Sequence, residues 1–177
     1  GVILMAKDQP NGRKWQKALE QKLVKRTYLT ILEGELKEKT DVNGFIGNDP
    51  DSPVFVKQRV TVNTRKSKKS STSFTPLLSR AGYTLASVVT KTGRKHQIRL
   101  HAQSIGVPLV GEKLYGRDES YYLKFCESGW NPSWIEQLRM DRQALHARRF
   151  GYFSEGPIYE AEIPSDFLNF LTVEMKV

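Results

Sequence analysis

The stretch KTGRKHQIRLHAQSIGVPLVGEKLYG, residues Lys91–Gly116, combines strong local structure signals with a dense group of basic side chains. It continues the segment GYTLASVVTK, residues 82–91, whose β-branched residues indicate a strand. Thr92 and Gly93 indicate a turn, with Thr92 as the candidate N-cap of a helix from about residue 95 to residue 105. The stretch therefore predicts a strand, a turn and a helix in direct succession.

The predicted helix separates apolar side chains from polar ones. Ile98, Ala102 and Ile105 recur at helical spacing and would pack on a sheet. Arg99 lies on a different face, one turn into the helix, where packed neighbours would hold it. A guanidinium fixed in this way can bind a carboxylate through two parallel hydrogen bonds, so we expect Arg99 to form a fixed ion pair.

The remaining sequence predicts an α+β protein forming a single domain, residues 1–177, around a mixed, largely antiparallel sheet with flanking helices. Further strands are predicted at residues 1–6, 26–34, 54–63, 145–153 and 158–164, and further helices at residues 12–24 and 165–175, the last capped by Ser165. Residues 41–53 are rich in turn-forming residues, residues 65–73 resemble a basic loop, and residues 117–142 resemble an insertion between core elements.

The composition favours an anionic partner in a reducing compartment. A net charge of +9 makes RNA or DNA the expected partner, ahead of a membrane. The single cysteine, Cys126, excludes a disulfide within the chain. No apolar run is long enough to span a membrane, and a cytoplasmic protein is predicted.

A run of basic residues from Lys57 to Lys69 contains no acidic residue. Its six members are Lys57, Arg59, Arg65, Lys66, Lys68 and Lys69. Such a run is either a flexible solvated loop or an arm that contacts phosphates without recognising sequence. The missing acid favours RNA contact.

A metal site and a carboxylate pair are both disfavoured by the spacing. His96 and His101 are five residues apart and do not share a helix face, so no metal site is predicted. Asp49 and Asp51 each precede a turn that contains proline, which argues against a catalytic pair. From the residues alone, a solvated basic helix with hydrogen-bonded histidines and a nucleotide-binding helix remain equally good interpretations.

The segment TGRKHQIRLHAQSIGVPLVGEKLYG closely resembles the signature of the RluA-type RNA pseudouridine synthases. That signature is roughly TGR-x-HQ-[IL]-R-x-H, a spacer, and G-x-P-[IL]-x-GD-x-x-YG. Glu112 stands where the family usually has aspartate, so the charge is kept and a structural effect at most is expected.

Three other segments resemble the family in the same order. GVILMAKDQ is similar to its GLLLLAK segment, KRTYLTILEG to its K-x-Y-x-A-x-V-x-G strand, and LHARRFGYF to its LHA-x-x-L-x-F segment. The resemblance covers nearly the whole chain, with residues 40–73 and 117–142 poorly matched.

The resemblance implies roles for individual residues. Arg99 matches the arginine that pairs with the catalytic aspartate, and Tyr28 matches the tyrosine that stacks on the flipped base and takes part in proton handling at C5. Arg94, Lys95 and His96 match the start of the helix that faces the RNA. The implied chemistry needs no cofactor.

The resemblance places the nucleophile outside this sequence. The family's aspartate lies in HRLD-x-x-TSG, whose last glycine aligns with Gly1, so the N-terminal part of the catalytic domain is expected upstream. The implied function is isomerisation of uridine to pseudouridine in RNA by a monomer, with ribosomal RNA favoured over transfer RNA. The alternative is a catalytically inactive RNA-binding or ribosome-associated protein of the same fold, and a generic DNA-binding domain comes third.

Overall fold

The computed structural model describes residues 1–152 and 156–177, whose strands form one seven-stranded, fully antiparallel sheet in the order β3-β2-β4-β5-β1-β6-β7. The strands are β1 (Val24–Glu33), β2 (Thr40–Asn48), β3 (Gln58–Thr61), β4 (Lys68–Arg80), β5 (Tyr83–Thr90), β6 (Leu145–Tyr152) and β7 (Ile158–Glu160). Phe153, the last residue of the predicted strand 145–153, lies outside the described residues.

Helices flank the sheet on both faces. They are α1 (Gln9–Glu20), α2 (Gln97–Ser104), α3 (Ser120–Ser128), α4 (Ile135–Leu138) and α5 (Ser165–Val173), with a short 3-10 turn at Pro132–Trp134. None of the described helices has the length and apolar character needed to cross a membrane. The α+β prediction is confirmed.

Strand β1 lies inside the sheet and contributes to two hydrophobic clusters. Leu32 packs with Ile98 and Ala102 of α2, whereas Ile31 packs with Phe167 of α5. Successive strand residues point to opposite faces, so α2 and α5 cover opposite sides of the sheet. Tyr28 lies on the α2 side, where it packs against the cluster that contains Ile98.

Residues 1–6 do not form the predicted strand. Val2 N donates a hydrogen bond to Ala147 O at 2.8 Å, and no other backbone hydrogen bond ties this segment to the described residues. Ile3 and Met5 are 86% and 83% exposed. Because a strand needs a repeated hydrogen-bond ladder with a neighbour, the apolar composition of this segment was not sufficient evidence.

The predicted turn at residues 41–53 and the predicted loop at residues 65–73 are largely strand. Gly44 and Phe45 of β2 pair with Ser70 and Lys69 of β4, so the Asn-Gly pair at 43–44 lies inside a ladder. The inward positions of β4 include Ser70 and Thr72, which are buried although they are polar. Residues with hydroxyl groups occupy inward positions where a strand usually has apolar residues. The sequence therefore lacks the alternation of apolar and polar residues that predicts a strand.

Two predicted helix caps are wrong. The residue before α2 is His96, in the left-handed conformation with φ 54°, and not Thr92. The residue before α5 is Pro164, and Ser165 makes no capping hydrogen bond. Helix α2 is also shorter than the predicted range of 95–105.

Candidate functional site

A hydrogen-bond network fixes the turn between β5 and α2. Thr92 Oγ1 donates to Gln97 Oε1 at 2.8 Å, and Arg94 N also donates to Gln97 Oε1 at 3.0 Å. The side-chain nitrogen Nε2 of Gln97 donates to Ser71 O at 2.9 Å and to Thr72 Oγ1 at 2.8 Å. Gln97 is 4% exposed, so a buried side chain holds the turn against β4.

Arg99 forms an ion pair with Glu112, the residue that departs from the family signature. Arg99 Nε donates to Glu112 Oε2 at 2.7 Å and Nη2 donates to Oε1 at 2.5 Å. Glu112 also accepts from the backbone N of Leu114 and of Tyr115. The partner of Arg99 within this chain is thus Glu112, whereas its pairing with an aspartate upstream of Gly1, which the resemblance implies, stays a prediction.

The ionisation of this pair follows from its contacts. Burial alone would raise the pKa of Glu112, but hydrogen bonds and charge from Arg99 outweigh it and lower the pKa below its ordinary value. Burial alone would lower the pKa of Arg99, and Glu112 raises it instead. Of the five guanidinium N–H groups of Arg99, Glu112 takes two, so three remain for another acceptor.

Tyr115 connects the start of α2 to β3. Its hydroxyl accepts from Gln58 N at 2.9 Å and lies 2.9 Å from His96 Nδ1. The guanidinium carbon of Arg99 lies 5.1 Å from the centre of the Tyr115 ring. Burial raises the pKa of Tyr115 to about 12. Sequence reasoning missed Tyr115 and the ion-pair role of Glu112, since only the tertiary path of residues 107–116 brings them to α2.

An open cavity of about 370 Å³ lies between β1 and the start of α2. Tyr28, His96 and Arg99, three residues that the resemblance singled out, all line it. Burial and then the charges of Arg99 and Lys95 lower the pKa of His96 to about 4, so His96 is neutral near pH 7. The cavity therefore brings an aromatic ring, a neutral imidazole and a fixed guanidinium to one place.

Two further cavities extend from this cavity, the Tyr28 cavity, along the protein surface, and we call these two together the groove. A middle cavity of about 330 Å³ shares Gly93 and Arg94 with the Tyr28 cavity, and an outer cavity of about 540 Å³ shares Gly47, Asn48 and Lys66 with the middle one. The cationic lining residues of the middle cavity are Lys66, Lys68, Arg94 and Lys95.

The six residues of the basic run fall into two groups. Lys57 is paired with Glu119 at 2.6 Å, and Arg59 is paired with Asp51 at 2.6 Å. Arg65, Lys66, Lys68 and Lys69 are exposed, and the described residues offer them no ion pair. The fold thus supplies acidic partners to the first two from distant segments, which the local sequence did not indicate.

His101 is a buried structural residue. Its ring nitrogens lie 2.9 Å from Thr72 Oγ1 and 3.0 Å from Ser70 Oγ, and burial lowers its pKa to about 4. Within residues 1–152 and 156–177, no group of three or more His, Cys, Asp or Glu side chains is arranged to hold a metal ion.

Comparison with known proteins relates this chain to RNA pseudouridine synthases. Residues 1–104 match the sequence model of the family described as RNA pseudouridylate synthase. The chain is 32% identical over 176 residues to "Uncharacterized RNA pseudouridine synthase YhcT" of Bacillus subtilis, covering 96% of this chain and 51% of that protein. It is 33% identical over 148 residues to "Ribosomal large subunit pseudouridine synthase D" of Nitrosomonas europaea, covering 83% of this chain and 39% of that protein.

The fold also matches a solved structure. "Human RNA Pseudouridylate Synthase Domain Containing 4" superposes with a TM-score of 0.74 at 20% identity, covering 97% of this chain and 70% of that one. The chain spans about half the length, or less, of the curated relatives it matches. With the family match over residues 1–104, the chain belongs to the RluA-type RNA pseudouridine synthases.

Proposed function

We propose that this chain forms the arginine and tyrosine side of the active site of an enzyme that converts uridine to pseudouridine in RNA. The observation that carries the proposal is the cavity that Tyr28 and Arg99 both line, next to the cationic groove. The nucleophile is an aspartate encoded upstream of Gly1. An upstream sequence without that aspartate would contradict the proposal.

Arg99 acts by orienting the aspartate and keeping it ionised. Glu112 fixes the guanidinium through Nε and Nη2. The remaining N–H groups then donate to the upstream carboxylate, and the positive charge at contact distance lowers the pKa of that carboxylate. Glu112 is thus a positioning residue, whereas Arg99 contacts the reacting group.

The reaction is an isomerisation whose atoms balance without a co-reactant. The C1′–N1 bond of uridine breaks with the participation of the aspartate, the uracil rotates, and a C1′–C5 bond forms. The proton released at C5 and the proton gained at N1 leave the composition unchanged. Tyr28 stacks on the base and takes part in the proton transfer at C5, and no cofactor is required.

RNA reaches the cavity along the groove. The target uridine leaves its stack to enter the Tyr28 cavity, which favours looped or distorted RNA. Arg94, Lys95, Lys66 and Lys68 contact the phosphates that flank it, and Arg65 and Lys69 add positive potential nearby. Lys57 and Arg59 contribute less, because acidic side chains already neutralise them.

The substrate is ribosomal RNA of the large subunit. This part of the proposal is supported by the resemblance to the ribosomal large subunit synthase of Nitrosomonas europaea. The proposed enzyme acts in the cytoplasm as a monomer.

The direct test is to incubate the full-length protein with large-subunit ribosomal RNA and to quantify pseudouridine by nucleoside chromatography. Tyr28→Phe keeps the aromatic ring and removes the hydroxyl, so it should retain RNA affinity and lose about 100-fold or more in turnover. Wild-type protein that binds RNA and forms no pseudouridine would instead support the inactive RNA-binding alternative.

A further inference from the structure

Arg26 and Thr90 form a polar pair at the end of the Tyr28 cavity. The register of β1 and β5 pairs Thr27 with Val89, and its continuation places Arg26 beside Thr90 on the same face as Tyr28. Both residues line the cavity. Arg26 stands at the lysine position of the family's K-x-Y-x-A-x-V-x-G strand segment, and Thr90 lies outside the family segments. Neither residue has a role in the proposed reaction steps.

Each of the two side chains has a buried polar atom without a partner. Arg26 Nε and Thr90 Oγ1 make no hydrogen bond to the described residues, although Thr90 is only 7% exposed. A buried polar atom left unpaired is destabilising, because it has given up its hydrogen bonds to water without replacing them. The other buried threonines of this sheet avoid that cost, since Thr84 Oγ1 donates to Gly34 O at 2.8 Å and Thr30 Oγ1 donates to Ala144 O at 2.7 Å.

The pair lies where the Tyr28 cavity joins the groove. A Cβ atom on Gly93 would approach Arg26 Nη1 to 2.6 Å, so the guanidinium lies directly under the Gly93 backbone. Gly93 is also one of the two residues shared with the middle cavity of the groove. A nucleotide in the Tyr28 cavity that remains joined to a strand in the groove must pass its phosphate through this junction.

We propose that Arg26 and Thr90 bind a phosphate oxygen of the RNA strand where the target nucleotide turns out of the groove. A guanidinium and a hydroxyl together suit an oxyanion, since the first gives a charge-assisted hydrogen bond and the second a neutral one. This inference rests on the proposed function for the identity of the RNA, but its test measures binding and not turnover.

The test is the salt dependence of RNA affinity, measured by fluorescence anisotropy with the full-length protein and a uridine-containing single-stranded oligoribonucleotide. Log K falls as log salt rises, and loss of one phosphate contact on a single strand reduces the magnitude of this negative slope by about 0.7. We expect Arg26→Gln to show that decrease and to weaken binding about tenfold. Thr90→Val should weaken binding about threefold and leave the slope unchanged, because it removes no charge.

Two matched controls separate this role from a structural one. Arg80→Gln removes an exposed charge at the opposite end of β5, where Arg80 pairs with Tyr83, and should leave the slope unchanged. Thr84→Val should lower the melting temperature, because it leaves Gly34 O and Leu36 N unpaired. Thr90→Val should leave the melting temperature of the free protein unchanged or raise it.

Three results would overturn the inference. An unchanged salt slope in Arg26→Gln together with lost turnover would assign the pair to a carboxylate, such as the upstream aspartate. A marked loss of thermal stability in Thr90→Val would assign its hydroxyl to the folded core. An equal reduction of the salt slope in Arg26→Gln and Arg80→Gln would show a nonspecific effect of lost positive charge. Failure of the proposed function is a separate outcome, seen as normal RNA binding without pseudouridine.

Discussion

The two basic regions of this protein differ in how their cations are held. In the region of α2, Arg99 is fixed by the buried carboxylate of Glu112, and the preceding turn is fixed by Gln97. In the region of β3 and β4, Lys57 and Arg59 are paired with acids, whereas Lys66 and Lys68 line the groove and form no ion pair with the described residues. Fixed cations suit chemistry at one atom, and exposed cations suit a mobile phosphate backbone.

The largest expected effect is on turnover when the fixed cation is removed. Arg99→Ala should reduce pseudouridine formation by at least about a thousandfold, because the aspartate loses both its orientation and its counter-charge. RNA affinity should change little. Arg99→Lys keeps the charge without the two-point geometry and should remain strongly impaired.

Circular dichroism must accompany this measurement, since Arg99→Ala leaves Glu112 buried without its cation. Wild-type-like turnover in a folded Arg99→Ala enzyme would refute the role assigned to Arg99.

The next effect is on stability, when Glu112 is removed. Glu112 is 2% exposed, so Glu112→Ala should lower the free energy of unfolding by about 3 kcal/mol or more, because it leaves the Arg99 charge uncompensated. Urea denaturation measures this. The matched control is Glu160→Ala, which breaks exposed pairs with Arg148 and Arg149 and should cost about 1 kcal/mol or less. Similar losses in both variants would mean that burial of the Arg99 pair adds nothing.

The fixed region should also respond to mild acid. The pKa of His101 is about 4 in the folded protein and about 6.5 in the unfolded chain. Between these pH values the imidazole is protonated in the unfolded chain and neutral in the folded protein. Its stabilising contribution is present above pH 6.5 and is lost as the pH falls toward 4. The expected loss is about 1–3 kcal/mol.

Urea denaturation at a series of pH values gives the slope of the unfolding free energy against pH for wild type and for His101→Gln. The slope should be flatter in the variant. His96 titrates in the same window. The stabilising contribution of Glu112 is present above its ordinary pKa of 4.5 and is lost only at lower pH, because its folded pKa is lowered. Parallel curves for wild type and His101→Gln would contradict the burial argument.

The smallest effect should appear at the exposed cations. Lys68 and Lys69 are adjacent and both exposed, but only Lys68 lines the groove. Lys68→Ala should weaken RNA binding a few-fold and reduce the magnitude of the negative salt slope by about 0.7, and Lys69→Ala should change the slope little. Equal slopes for both variants would show that the groove does not set the path of the RNA.

Local sequence was sufficient where apolar positions alternated or recurred at helical spacing, whereas the continuous apolar run of residues 1–6 did not form a strand. The strand 82–91 and the helix after it were predicted within two residues, since Ile98 and Ala102 mark a helix face directly. Prediction failed where polar side chains fill inward positions. Ser70 and Thr72 are buried because His101 supplies their hydrogen bonds from another element, and no local pattern carries that information.

The family, the α+β class and the candidate residues Tyr28 and Arg99 could all be read from the sequence, because motifs with fixed spacing are a local property. Tertiary structure decided which partners those residues have. Glu112 is 13 positions from Arg99, and Asp49 and Glu119 reach Lys57 from opposite directions along the chain. Charge pairing depends on distance in space, and that distance is set by how the sheet and its connecting segments pack.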